Sequence, residues 1–277
     1  MTGPEIFETW RSAWAGGELH ELKPGAYLAA FGGAHTRHRL ARGIGDAGFQ
    51  VRDQIAWLHS SGMPKSIDVA FALDKYHGVQ RTDRTVQRSE HEGVLGATRT
   101  VLDKGTPVTE DAQQWDGWGT ALRSAFEPII LARKPPGASI AHNILTNGVG
   151  GINIDATRFN GRWPTNVALD GSQADTLDLL TGTWRNDPVS RRFPIFRYQP
   201  KAPPSERPRA FGISHSTVKP LALMRWLARL ITPPGGVLLE PFTGSGTTIE
   251  AAVSEGFQVV AFEKDPDFIP PIISRLD

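Results

Sequence analysis

With 277 residues, 39% of them hydrophobic, the chain can bury a sizeable core, and its length fits one elaborated α/β domain or a domain with an insertion. A formal net charge of +1 leaves any polyanionic partner to local patches, and the absence of cysteine excludes disulfides, thiolate metal sites and a cysteine nucleophile while fitting a reducing cytosol. Residues 1–10 hold no apolar leader core, and no run is long enough to span a membrane.

In chain order, residues 5–22 read as a helix interrupted at Gly16-Gly17 and stopped by Lys23-Pro24-Gly25. Residues 26–31 read as a buried strand, 36–47 as a helix and 49–58 as a second strand. Gly48-Phe49-Gln50-Val51 returns as Gly256-Phe257-Gln258-Val259, which indicates one helix-ending chemistry used twice rather than a duplicated domain. Residues 76–119 are polar and weakly periodic, as a surface excursion or mobile loop would be. Residues 126–132 form a further strand, closed by Arg133-Lys134-Pro135-Pro136-Gly137. Helices alternating with buried strands predict a largely parallel sheet covered on both faces.

Residues 184–209 carry seven basic side chains, among them Arg185, Arg191, Arg192, Arg197 and Lys201, against Asp187 and Glu206. Trp184, Phe193, Phe196 and Tyr198 are interleaved with them, along with six prolines. Such a stretch suits phosphate contacts and the stacking of an unpaired base, or else a proline-rich connector anchored to the core by its aromatics. Residues 217–231 give the clearest helix, with Leu221, Met224, Leu227, Ala228 and Ile231 on one face.

That helix runs through Pro233-Pro234-Gly235-Gly236 into the strand Val237-Leu238-Leu239 and then into Glu240-Pro241-Phe242-Thr243-Gly244-Ser245-Gly246-Thr247-Thr248. Glycines at a strand-to-helix turn let the backbone approach a ligand, with the N–H groups of the following helix pointing at it. A second strand, residues 258–262, ends in Glu263, placed to hydrogen-bond a ribose. Any tight strand-to-helix turn uses such glycines, and a strand-end acid can simply be solvated.

The order of parts is more specific than either signal. His215-Ser216-Thr217-Val218-Lys219-Pro220-Leu221 followed by the glycine loop resembles the cofactor half of the amino-methylating DNA methyltransferases, in the circularly permuted group of phages and prophages whose catalytic half comes first. Leu22-Lys23-Pro24-Gly25, Ala47-Gly48-Phe49, Gly62-Met63-Pro64-Lys65-Ser66, Gly161-Arg162-Trp163-Pro164 and Phe196-Arg197-Tyr198-Gln199-Pro200-Lys201 are similar to further segments of these enzymes.

The resemblance implies a permuted, Rossmann-like, S-adenosylmethionine-dependent methyltransferase fold of α/β class. It divides the chain into a catalytic-half segment (1–75), a variable polar insertion (76–125), a sheet strand (126–137), a target-recognition-like region (138–213) and the cofactor half (214–277). By the same resemblance Phe242, Gly244 and Gly246 line S-adenosylmethionine, Glu240 bounds its amino-acid side, and Glu263 takes the ribose. Thr217, Lys219 and Pro220 then lie near the methionine moiety, and Arg185, Arg191, Arg192, Arg197, Tyr198 and Lys201 form the DNA face. DNA is the implied partner, with a homodimer or a partner subunit as possible assemblies.

One expected part is missing from this sequence. These enzymes place an Asp/Asn/Ser-Pro-Pro-aromatic tetrapeptide at a strand tip, where its oxygens accept the hydrogens of the target amine and its ring stacks on a flipped base. Here the Pro-Pro pairs at 135–136, 203–204, 233–234 and 270–271 lack either the polar leader or the aromatic follower. No catalytic residue is therefore assigned. The expectation is a sheet short of one central strand, between the cofactor-loop strand and residues 26–31, in a chain that begins downstream of its catalytic strand. Two functions compete: a methyltransferase of adenine or cytosine amines, and a non-catalytic DNA- or cofactor-binding protein. A nucleotide-dependent oxidoreductase relies on the glycine loop alone. Cysteine-dependent methylation of the cytosine ring is excluded.

Overall fold

The computed structural model describes residues 13–59, 66–82, 86–89, 99–102, 105–196 and 218–276. Residues 13–21 form α1, which runs unbroken through Gly16-Gly17. β1 (Tyr27–Phe31), α2 (Arg37–Asp46) and β2 (Gln50–Leu58) follow. The chain then builds α3 (Val69–Tyr76), β3 (Val86–Ser89), β4 (Arg99–Leu102) and α4 (Glu110–Gln114). It continues with β5 (Phe126–Arg133), α5 (Ile140–Asn147), β6 (Val167–Leu169), α6 (Gly171–Thr181), β7 (Thr183–Trp184) and β8 (Asp187–Pro188). α7 (Leu221–Ile231), β9 (Val237–Glu240), α8 (Thr247–Ser254), β10 (Gln258–Ala261) and α9 (Ile269–Leu276) complete the order.

Two compact units result, 1–61 with 125–277 and 62–124. The second begins ahead of residue 76, where polarity alone drew its edge, because α3 packs on α4 within it. It is a built unit and not a bare loop. Asp68 and Thr109 cap its helices through the N–H groups of Phe71 and Ala112. Buried Asp74 accepts hydrogen bonds from Arg81 Nε at 2.7 Å, from the N–H of Val108 at 3.1 Å, and from the N–H and hydroxyl of Thr109 at 2.9 and 2.8 Å. Burial pushes this carboxyl up, but the bonds from Thr109 and Arg81 outweigh it and hold the group well below the usual range.

In the first unit a four-stranded sheet runs β1-β5-β2-β6, and β9 and β10 pair as a separate parallel two-stranded sheet. The largely parallel expectation needs correction here. β5 is antiparallel to both β1 and β2, while β2 and β6 are parallel, so β5 alone is reversed. Alternation along β5 sends side chains to opposite faces. Ile130 and Ala132 pack with Leu40 and Ile44 of α2, and Ile129 joins Ile55, Trp57, Leu223, Trp226 and Leu227 on the α7 side.

α7 starts at Leu221 rather than 217, since Pro220 sits at its N-cap with extended backbone (φ −60, ψ 130). Its buried side chains are Leu223, Trp226, Leu227, Ala228 and Leu230, more than one apolar stripe. The reason is that α7 packs against α8, β1 and the turn at Asp155–Thr157 at once, with Trp226 Nε1 donating to the carbonyl of Thr157 at 3.1 Å. Gly48 and Gly256 both take positive φ (106 and 78) where helix hands over to strand, which is why the same four residues occur twice.

Candidate cofactor cleft and basic hairpin

The glycine loop joins β9 to α8. Gly244 and Gly246 have φ of 55 and 78, and Gly246 is the N-cap of α8. Gly246 has a φ that disfavours any side chain, and a Cβ there would lie 3.3 Å from Ile272 Cγ2 and 3.4 Å from Arg275 Cδ, so those neighbours would have to give slightly as well. Glu263 is the clasp of the loop. Its carboxylate accepts the Gly244 N–H at 2.6 Å and the Asp265 N–H at 2.9 Å. Glu240 accepts the Phe242 N–H at 2.9 Å, and the hydroxyl of Thr243 donates to the Phe262 carbonyl at 2.8 Å.

Glu240, Phe242, Thr243 and Gly244 line a cavity of about 650 Å³, whereas Gly246 and Glu263 are not part of that lining. One wall is β9 with the loop as far as Thr248, and the opposite wall is β1 from Tyr27 to Phe31. Met224, Leu227, Ala228 and Ile231 of α7 line it as well, which is the helical stripe legible in the sequence without Leu221. Trp14, Glu18 and Leu22 line it from the segment ahead of β1, and the Trp14 ring meets Phe242 edge-on at 5.5 Å. Among the described residues no strand pairs with the outer edge of β1 or of β9. Tyr-Leu-Ala-Ala-Phe and Val-Leu-Leu-Glu also lack the lysines, prolines and bulges that protect exposed edges.

Two carboxylates, Glu18 and Glu240, share this cavity. Burial, then Glu240, then Glu21 push the Glu18 carboxyl up. The pair provides an environment for a cationic guest.

Lys219 lines the same cavity, but its ammonium is paired with Glu127 of β5 and lies 4.7 Å from the centre of the Phe31 ring and 5.9 Å from that of Trp57. Its head is thus directed to the ends of β1, β5 and β2. Glu18, Trp14 and Glu127 were missed by sequence reasoning. Glu127, the lone acid of the apolar strand Phe-Glu-Pro-Ile-Ile-Leu-Ala-Arg, was the one with a readable signal. Thr217, Arg197, Tyr198 and Lys201 lie outside the described residues.

Of the basic cluster, three arginines can be placed. β7 and β8 form a hairpin with Arg185 and Asn186 as its two-residue loop. Arg191 pairs with Asp187 at 3.3 Å, and Arg162 pairs with the same carboxylate at 2.7 Å. The hydrogen bond from Arg162 is the main cause that holds the Asp187 carboxyl below its usual range, against a smaller upward push from burial. Arg192 lies 5.8 Å from the Trp184 ring centre. Arg191 and Arg192 are therefore engaged within the hairpin.

An α/β sheet ending in a glycine loop, an acid at the tip of the next strand and an apolar cleft define a nucleotide-type cofactor protein. More narrowly, the chain belongs to the DNA methylase family of N6 and N4 amino-methyltransferases, whose model matches residues 5–274. It is 24% identical to the type II methyltransferase M.HindIII of Haemophilus influenzae, over 99% of this chain and 70% of that protein. The crystal structure of the M1.HpyAVI–SAM complex is similar with a TM-score of 0.50 and 16% identity, over 96% of this chain and 81% of that one. The cytosine-N4-specific PvuII DNA methyltransferase is similar with a TM-score of 0.50 and 15% identity, over 100% and 72%. Among the described residues no helix is long and apolar enough to cross a membrane, and no group of His, Asp or Glu is arranged to hold a metal ion.

Proposed function

We propose that this chain binds S-adenosylmethionine at the β9–α8 loop and serves the methylation of an exocyclic amine of adenine or cytosine in DNA, in the permuted order with the catalytic half ahead of the cofactor half. Bound S-adenosylmethionine supplies an electrophilic methyl group on a sulfonium. Glu240 and Glu18 offset the positive charge of its amino-acid end, and Gly244 and Gly246 let the backbone come close. Glu263 turns one carboxylate edge to the ribose while holding the loop, because a carboxylate has acceptor sites beyond the two used here. Lys219 and Pro220 border the methionine side in this reading. Phe242 and Trp14 offer aromatic surface beside the cleft.

The observation that carries the finer reading is the cleft itself. It lies between two apolar strand edges that no strand among the described residues pairs, and it is lined by the apolar stripe of α7. Strand edges offer rows of backbone donors and acceptors, and one extended segment lying between β1 and β9 would pair with both and join the two sheets into one. We propose that this segment carries the polar-Pro-Pro-aromatic tetrapeptide. Its oxygens would accept hydrogen bonds from the amine N–H groups and so localise the nitrogen lone pair toward the methyl group. This chain then supplies the methyl donor's site and the frame, and the inserted strand supplies the groups that activate the amine.

The test measures calorimetric binding of S-adenosylmethionine and transfer of its labelled methyl group to unmethylated DNA, for the chain alone and for a fusion adding a strand that ends in Asn-Pro-Pro-Tyr ahead of Met1. Cofactor binding by both and transfer by the fusion only is the expected result. No cofactor binding by either would overturn the loop assignment, and transfer by the chain alone would overturn the strand assignment.

A further inference from the structure

We infer that Arg185 and Asn186 are a base-reading pair, carried on the tip of the β7–β8 hairpin into the major groove of the duplex; the inference rests on the DNA-methyltransferase reading above. The register Thr183↔Pro188 and Trp184↔Asp187 leaves these two residues as the whole connection. Both take left-handed backbone, φ 54 at Arg185 and 63 at Asn186, as both central residues of a type I′ turn must. Asn-Gly or Gly-Gly makes this turn with little strain. Asparagine tolerates the conformation, but arginine adopts it only at a cost, so a long cationic side chain stands where the fold alone would select glycine. Backbone strain of this kind concentrates at functional positions.

The neighbouring cations have other duties. Arg162 and Arg191 are paired with Asp187, Arg192 lies over Trp184, and Arg158 is paired with Asp155 at 2.8 Å and lies 5.5 Å from the Trp163 ring centre. Arg185 is exposed and has no such partner among the described residues. The base that carries it is held from two sides. Asp178 of α6 accepts from the N–H of Ser190 at 2.8 Å and from its hydroxyl at 2.5 Å, and Arg162 and Asn160 donate to the Arg191 carbonyl at 3.1 and 3.4 Å. A tip on an anchored base can place two side chains accurately.

The chemistry of the pair then selects its ligand. The major groove admits a two-stranded ribbon, arginine bonds guanine O6 and N7 as a fork, and asparagine does the same for adenine N6 and N7. Adjacent residues on one turn reach neighbouring base pairs, so the structure assigns this tip to a guanine and an adenine close together in the recognised sequence. Phosphate contacts would only position the protein.

Selection from a random duplex pool, followed by affinity titrations over a range of salt, tests this on the full chain. The variant Arg185→Gly with Asn186→Gly keeps the hairpin, since glycine is the residue that favours this turn, and single Arg185→Ala and Asn186→Ala changes apportion the effect. The wild-type chain is expected to enrich a fixed guanine- and adenine-containing sequence. The glycine variant should lose preference at those positions by roughly tenfold to hundredfold each, with affinity for unrelated duplex little changed. Unaltered preference with a uniform loss of affinity, and a salt slope lower by about one for Arg185, would overturn the assignment in favour of a phosphate contact. Unaltered affinity and preference would remove the tip from the interface. A wild-type chain that binds no DNA at any salt would sink the DNA-methyltransferase reading as well.

Discussion

The glycine loop and the β7–β8 hairpin both turn on consecutive or near-consecutive left-handed residues, and they use them in opposite ways. At Gly244 and Gly246 the positive φ comes with no side chain, which leaves room for α9 beside Gly246 and leaves the Gly244 backbone at the wall of the cavity. At Arg185 and Asn186 the same backbone region is occupied at a cost, and what it delivers is the side chain. The difference teaches that positive φ by itself does not name a function. The residue type placed there says whether backbone or side chain is being offered.

That contrast can be broken most forcefully at the loop. Gly246→Val adds left-handed strain and crowds Ile272, and should cost about 2–5 kcal/mol in urea unfolding while abolishing S-adenosylmethionine binding. Wild-type stability in this variant would mean the loop is not as tightly determined as its geometry indicates. Glu263→Ala removes the acceptor for Gly244 and Asp265, with an expected loss of about 1–3 kcal/mol; calorimetry should also record weaker cofactor binding.

A third effect is smaller and concerns charge. The Glu18 carboxyl is raised above its ordinary value, and a cationic guest favours its ionised form, so binding should release protons. Affinity for S-adenosylmethionine should therefore increase as pH rises through the Glu18 titration, and Glu18→Gln should flatten that profile. A flat profile in the wild-type chain would remove Glu18 from the site.

On the hairpin side the expected effects on folding are the least. Arg185→Gly should leave stability within about 0.5 kcal/mol of wild type or raise it, the reverse of what adding a side chain does at Gly246. The Asp187 carboxyl is held low, so its ion pairs are present above the ordinary aspartate range and are lost only as pH falls through the lowered value. Asp187→Asn should loosen the hairpin at neutral pH, detectable as faster amide exchange at Ser190 and Arg191, and abolish that acid dependence.

Much of this protein was legible along the chain. Strands ending in glycine-rich turns, the α7 stripe and the acid after β10 are local patterns, and periodicity and turn chemistry report local patterns well. The basic cluster was legible only as a composition, because it takes the fold to show that Arg162, distant in sequence, shares Asp187 with Arg191. Glu127 was readable as a lone acid in an apolar strand, but its pairing was not, its partner Lys219 being 92 residues away.

By itself the sequence determined the α/β class, the strand-to-helix turn with Gly244 and Gly246 followed by the strand-end acid Glu263, and the absence of a polar-Pro-Pro-aromatic tetrapeptide from these 277 residues. Only the tertiary structure decided that β5 runs against its neighbours, that residues 62–124 form a unit of their own, and that β1 and β9 face one cavity with edges that no strand among the described residues pairs. The division has a physical cause. Backbone preference and side-chain period act over a few residues, whereas strand direction, ion-pair choice and the shape of a cleft are set by contacts between segments far apart in the chain.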